Sequence, residues 1–369
     1  MVFSCEKSIL SEAVMNVSRM IPSKSTIPAL EGIKIKARDG LLTLCGYDME
    51  AGITTELPAD IKSEGEIILA ARLFADMIRK MDGNIINISV GDRYLTSITS
   101  GITEFNILGI PADEFPELPS VEQGEAVEIG QGILKSMIDQ TLFAVASTDS
   151  KPVHMGSLFD LADSCLSIVS VDGYRLALRR ERLSNGKKLS FVVPGKVLSE
   201  ISKMLSDDAE ETAKLLVSAR HIVFSIGNYS IISRLLEGEF LDYKKSIPQM
   251  SASTAIISRR QFMDSIERAS LLISDRLRSP IRIIFDRDSM VKISCSTSVG
   301  KFYDEFACKI EGDSVEMGFN NRYLMDGLRA ADTDEVRVEI SGALSPIKIL
   351  PPEGDSYLFL VLPVRLKNE

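Results

Sequence analysis

The sequence predicts an α+β protein made of three copies of one domain, each with two helices packed on antiparallel sheet. Three observations carry this. A short charged helix returns at a fixed step, a set of prolines and phenylalanines returns at the same step, and the stretches between helices alternate apolar and polar residues with period two.

The helix comes first. Its copies read Ala71 to Arg79, Gly195 to Lys203 and Asn321 to Arg329, so Arg72, Lys196 and Arg322 follow one another at steps of 124 and 126 residues. An earlier amphipathic helix opens each third around Ile9-Leu10, Ile133-Leu134 and Phe262-Met263. Prolines expected to lead into a strand follow it, at Pro28, Pro152 and Pro280, with steps of 124 and 128. A segment ending in phenylalanine recurs at Phe115 and Phe240. Between helices, Ile33, Ile35 and Ala37 alternate with Lys34, Lys36 and Arg38 before Asp39-Gly40, and Phe224 and Ile226 precede Gly227-Asn228. Val336, Val338 and Ile340 alternate with Arg337, Glu339 and Ser341. Alternation around such turn pairs predicts half-buried hairpins. Polar stretches near Gln123 and Ser251 set expected domains of 1–123, 124–251 and 252–369.

Composition narrows the function classes. With 45% hydrophobic and 25% charged residues over 369 positions, the chain reads as globular and multi-domain. No apolar run reaches the length of a membrane span, and Glu6 and Lys7 stand where a signal peptide needs apolar residues, so a cytoplasmic protein is expected. Five cysteines without a close pair and two histidines, His154 and His221, give no metal-ligand spacing, and no metal or cofactor is expected. Nucleophile elbows, phosphate loops and dinucleotide fingerprints are missing from the sequence, and no catalytic residue is assigned. The paired acids Asp207-Asp208 and Glu210-Glu211 read as a solvated loop.

The formal net charge of −10 argues against a nucleic-acid binder, yet the repeated helix argues for one. Base, acid and base stand at i, i+4 and i+7 in all three copies: Arg72/Asp76/Arg79, Lys196/Glu200/Lys203 and Arg322/Asp326/Arg329. That spacing puts them on one helical stripe. In a single copy it is a solvated face held by ion pairs. Recurring in every copy, it reads as a weakly positive stripe turned toward a polyanion, with the excess acid elsewhere.

Two motifs carry a family resemblance. Val171-Asp172-Gly173-Tyr174-Arg175-Leu176-Ala177 and the ending Leu360-Val361-Leu362-Pro363-Val364-Arg365-Leu366 resemble signature segments of the bacterial sliding clamp, the beta subunit of DNA polymerase III. Gly318-Phe319-Asn320 and Pro111 to Pro116 agree, and the resemblance runs end to end. It implies three DNA-clamp domains per chain and a head-to-tail homodimer closing as a ring around double-stranded DNA without reading its sequence. Phe105 and Ile107 are then expected to meet Leu272 and Ile273 across the subunit boundary. It also implies a cleft that takes short peptides from the replicative polymerase, the clamp loader, ligase and repair proteins. The matching positions are His154, Val171, Gly173, Tyr174, Arg175, Leu176, Leu241, Lys245, Arg278, Asn320, Tyr323, Leu344, Pro346 and the run Val361, Leu362, Pro363, Val364, Arg365, Leu366. Read from the residues, Leu176, Leu362 and Val364 are candidate aliphatic walls, with Arg175 and Asn320 as polar rims for a peptide backbone.

The chain departs from the family at Leu241, His154, Lys245 and Pro346, and extends past the usual end with Lys367-Asn368-Glu369. These departures bear on which peptide is preferred. Basic loop residues Lys24 and Lys151, with Arg72, Arg79, Lys196 and Lys203, are the expected phosphate contacts. An open alternative is a peptide-binding repeat scaffold that never touches DNA.

Overall fold

Alternation becomes strand wherever it was read. In the computed structural model, which describes residues 1–148, 151–183, 187–273 and 279–366, Gly32–Arg38 buries Ile33, Ile35 and Ala37 and leaves Lys34 and Lys36 half-exposed. The strand pairs with Leu41–Tyr47 through Asp39 (φ 50°) and Gly40 (φ 78°). Both turn residues are left-handed, as a two-residue hairpin of this twist requires. The equivalent hairpin of the middle repeat, Gly156–Ala162 with Cys165–Val171, turns on Asp163 (φ 51°) and Ser164 (φ 58°), with no glycine to announce it.

The helices are α1 (Lys7–Val17), α2 (Ala71–Lys80), α3 (Gln131–Leu142), α4 (Gly195–Ser202), α5 (Tyr243–Ser246), α6 (Arg259–Ser270) and α7 (Asn321–Ala330). In α2, Phe74 and Ile78 are fully buried while Arg72, Asp76 and Arg79 face solvent. Truncating a buried aromatic such as Phe74 to alanine costs about 3–5 kcal/mol, so the apolar flank of the helix holds it in place and frees the charged flank for other work. Pro28 and Pro152 do not enter strands directly as expected. Each opens a single-turn helix, Pro28–Glu31 and Pro152–Met155, where a missing N–H is costless, and the strand follows. Pro280 does directly precede a strand, Ile281–Asp286.

The chain divides into two compact units, Met1–Leu134 with Glu200–Leu235, and Lys135–Ser199 with Leu236–Glu369. The division runs through the middle repeat because hydrogen-bonded ladders cross from one repeat to the next. In the first unit an eight-stranded antiparallel sheet joins Tyr229–Arg234 to Ala51–Pro58, with Ile231 opposite Ile53. A five-stranded sheet of that unit ends on Thr103–Leu108.

In the second unit a nine-stranded sheet joins Arg175–Arg182 to Tyr357–Val361, with Ala177 opposite Phe359. A four-stranded sheet there ends on Gly300–Ala307. Phe262, Ile266, Leu324 and Leu328 of α6 and α7 pack with Ile283, Phe285 and Phe359 in its core.

Candidate functional site

The second unit builds its candidate site around one turn. Asp172 accepts from the backbone N–H groups of Tyr174 (3.0 Å) and Arg175 (3.1 Å), and its other oxygen takes the Arg175 Nε at 2.8 Å. Gly173 sits at φ +86°, a conformation glycine adopts without cost. The turn thus projects Tyr174 outward, 61% exposed, and folds Arg175 inward. The Arg175 guanidinium also bonds Asp326 of α7 and lies 4.6 Å from the Tyr323 ring centre and 5.4 Å from that of Phe143. Tyr323 in turn stacks on Tyr174, centres 5.9 Å apart.

The C-terminal run is laid beside this turn by backbone bonds. Leu362 donates to the Tyr174 carbonyl (2.9 Å) and Val364 to the Gly318 carbonyl (2.8 Å). Gly318 is required there: a Cβ would lie 2.6 Å from the Val364 carbonyl oxygen and 2.7 Å from the Leu366 side chain. Val361 and Leu176 are buried, Pro363 and Leu366 half-buried, and Leu362, Val364 and Arg365 exposed. Beneath lies an apolar floor of Val171, Leu176, Leu358 and Leu360 with Phe240 packed on it, and His154 meets Phe240 edge to face at 5.4 Å. Leu241 is exposed, and Lys245 beside it pairs with Asp242 at 2.8 Å. Leu344 is 81% exposed, and Pro346 leads into the buried strand Ile347–Leu350. Arg278 lies outside the described residues.

Asn320 caps α7, its side-chain oxygen accepting from the Arg322 N–H at 2.9 Å, and Arg175 is 12% exposed between two carboxylates and two rings. The Asn320 oxygen and the Arg175 guanidinium are thus engaged within the second unit. Leu176 is floor rather than wall. Asp172, Asp326 and Phe143 belong to the site and were missed as such. Asp172 was visible only as a turn residue and Asp326 only as the acid of a stripe, while nothing in the sequence marked Phe143.

The basic candidates Lys24, Arg72, Arg79, Lys151, Lys196 and Lys203 are all exposed. The ion pairs of the repeated helix differ from copy to copy. Asp76 takes Arg79 at 2.6 Å, and Glu200 takes Lys203 at 2.7 Å and Arg19 at 3.3 Å. In the third copy Asp326 bonds Arg175, and Arg329 pairs with Glu267 of α6 at 3.0 Å. Phe105 and Ile107 are half-buried on the edge strand Thr103–Leu108, and Leu272 and Ile273 are half-buried just past α6.

Burial pushes the Cys5, Cys45 and Cys308 thiols up to about 11, so they stay protonated at neutral pH. Among the described residues no three His, Cys, Asp or Glu side chains cluster as a metal site, and no helix is long and apolar enough to cross a membrane.

Three consecutive family matches cover the chain. Residues 1–119, 128–242 and 244–365 match the DNA polymerase III beta subunit N-terminal, central and C-terminal domains. The chain is 34% identical over 377 residues to the beta sliding clamp of Bacillus subtilis (strain 168), covering 99% of this chain and 100% of that protein. It is 32% identical to the beta sliding clamp of Staphylococcus aureus, covering 99% of each. The crystal structure of the DNA polymerase sliding clamp from Bacillus subtilis superposes with a TM-score of 0.96 at 33% identity over 100% of both chains. That of a putative DNA polymerase III beta subunit from Eubacterium rectale gives 0.94 at 31% identity, over 99% of this chain and 100% of that one.

Proposed function

The chain belongs to the DNA polymerase III beta subunit family, and on that premise we propose that it is a DNA sliding clamp, a ring without chemistry of its own that gives the replicative polymerase processivity. Two copies of domains 1–123, 124–251 and 252–369 close head to tail around double-stranded DNA in the cytoplasm. The ring is held by topology rather than by tight, salt-sensitive phosphate binding.

The observation that carries this reading is a pattern of strand pairing left incomplete. Ala51–Pro58 of the first repeat pairs with Tyr229–Arg234, the last strand of the second. Arg175–Arg182 of the second pairs with Tyr357–Val361, the last strand of the third. The corresponding strand of the third repeat is Gly300–Ala307, and the last strand of the first is Thr103–Leu108. Both are sheet edges with one neighbour each among the described residues. Unpaired edges of this length invite strand addition. Joining the edge of one copy to that of another repeats the rule already used twice and closes a two-subunit ring. Phe105, Ile107, Leu272 and Ile273 are the residues proposed to meet at that joint.

The exposed surface made by Tyr174, Leu241, Leu344, Leu362 and Val364 over an apolar floor supports a cleft for short peptides of the polymerase, the clamp loader and other clamp-binding proteins. Arg72, Arg79, Lys196, Lys203, Lys24 and Lys151 supply the phosphate contacts. The test loads the protein with a clamp loader onto nicked circular DNA and then linearises the circle. Retention on the circle and release from the linear form is expected; equal retention on both refutes the ring.

A further inference from the structure

The first and middle repeats share a hairpin frame but fill its outer face differently. In the middle repeat the Tyr243 ring lies among Leu158, Val169 and Leu178, and its hydroxyl meets Asp160 at 2.9 Å, with Ser167 also within hydrogen-bonding reach. The equivalent positions of the first repeat, 124 residues earlier, are Lys34, Cys45, Thr54, Lys36 and Thr43. They line an open cavity of about 370 Å³ whose other wall is Phe115 and Leu118. Phe115 and Leu118 correspond to Phe240 and Tyr243 at a step of 125.

Leu118 cannot do what Tyr243 does, because it is short and is drawn aside. A Cβ on Gly52 would lie 2.7 Å from the Leu118 side chain, so leucine packs where the middle repeat has the Leu176 side chain. The space that a phenol occupies in one repeat is therefore vacant in the other. Its far end differs in sign as well. Lys34 and Lys36 both pair with Glu66, at 3.1 and 3.3 Å, so a lysine stands where the middle repeat has Asp160 paired with Lys244, and Glu117 also lines the cavity.

We propose that this cavity is a binding pocket for an oxygen-bearing aromatic ring, a phenol or an aryl carboxylate. The ring packs between Phe115 and the strand side chains, and its oxygen accepts from Lys36 and Thr43. The middle repeat is the internal template: it shows that this frame holds a phenol, by which face and with its hydroxyl at which two positions. The cavity is distinct from the peptide cleft, which belongs to the other repeats.

The test titrates 4-hydroxyphenylacetate into the full-length protein and follows saturation-transfer NMR. A ligand of this size is expected to bind with a dissociation constant on the order of millimolar. Leu118→Tyr, which installs the template's own ring, should weaken binding about tenfold or more, with a melting temperature equal to or above that of the parent protein. Lys36→Gln combined with Thr43→Val should weaken it about fivefold, and this variant alone decides the matter if Leu118→Tyr fails to fold. A parallel titration with N-acetyltyrosinamide identifies the source: equal affinity assigns the pocket to a tyrosine of a partner chain, and preference for the acid assigns it to a small aryl acid. No saturation transfer in the parent protein, or transfer unchanged in the variants, overturns the proposal.

Discussion

Arg175 shows how one side chain can brace a surface from within. Its guanidinium joins Asp172 at 2.8 Å and Asp326, and lies on the Tyr323 ring that stacks against Tyr174. Removing the Asp326 charge leaves the guanidinium bonded on one side only. Bonds of this kind to charged groups contribute about 1.5–3 kcal/mol when shielded, and the 36% exposure of Asp326 discounts that. Asp326→Asn should therefore cost about 1 kcal/mol of wall positioning, a loss of roughly fivefold in peptide affinity. Fluorescence polarisation with a labelled clamp-binding peptide reads it. An Arg175→Ala background should remove the additional effect of Asp326→Asn, since both substitutions break one contact. Additive losses would show that Asp326 acts by another route. None of this was legible in the sequence. The motif marked Arg175 as important, but a long side chain next to a turn can point outward or inward, and the carboxylate that decides the direction lies 151 residues away.

The helices and hairpins were far more legible than the side chains between them. Period-two alternation through Lys34, Lys36 and Arg38 specifies a half-buried strand because a one-residue slip would bury all three charges. The repeated helix was legible for a similar reason: Phe74 and Ile78 must go in, so Arg72 and Arg79 must come out. Its ion pairs were not, because exposed pairs are worth only about 0–1 kcal/mol each and reassort with whatever lies nearby. Arg19 on Glu200 and Glu267 on Arg329 are both partners from another helix or turn.

That weakness makes the stripes testable without unfolding the protein. Charge reversal of Arg72, Lys196 and Lys203 to glutamate should change stability by no more than about 1 kcal/mol per site. Clamp loading on primed DNA should fall, and the slope of log binding against log salt should flatten by up to about 3. Normal loading by the triple variant would remove the stripes from the DNA-facing surface.

At the scale of the whole molecule, the repeat explains both what joins and what is left open. Three repeats in one chain provide two internal joints, Tyr229–Arg234 on Ala51–Pro58 and Tyr357–Val361 on Arg175–Arg182, and leave one strand of each kind unmatched. These ladders also explain why the two compact units are not the repeats, since each joint fastens part of the middle repeat to a neighbour. Sequence periodicity could locate the copies but not the pairing between them, because strand alternation looks the same on an edge and in a ladder.

A head-to-tail dimer contains two copies of the remaining joint, so a defect in that joint acts twice. Ile107→Lys places a charge among the half-buried side chains of Thr103–Leu108, at a cost of about 2 kcal/mol per joint. That is about 4 kcal/mol for the dimer, or nearly a thousandfold in its dissociation constant. Light scattering at micromolar concentration should then give the 40.6 kDa chain, where the parent protein gives twice that mass. Circular dichroism should be unchanged, because the strand keeps its ladder to Leu95–Ser100 within the chain. Peptide affinity should hold as well, since the cleft lies wholly in the second unit, while retention on nicked circles is lost. A variant that stays dimeric would mean that the edge strands are covered in some other way and that the ring closes elsewhere.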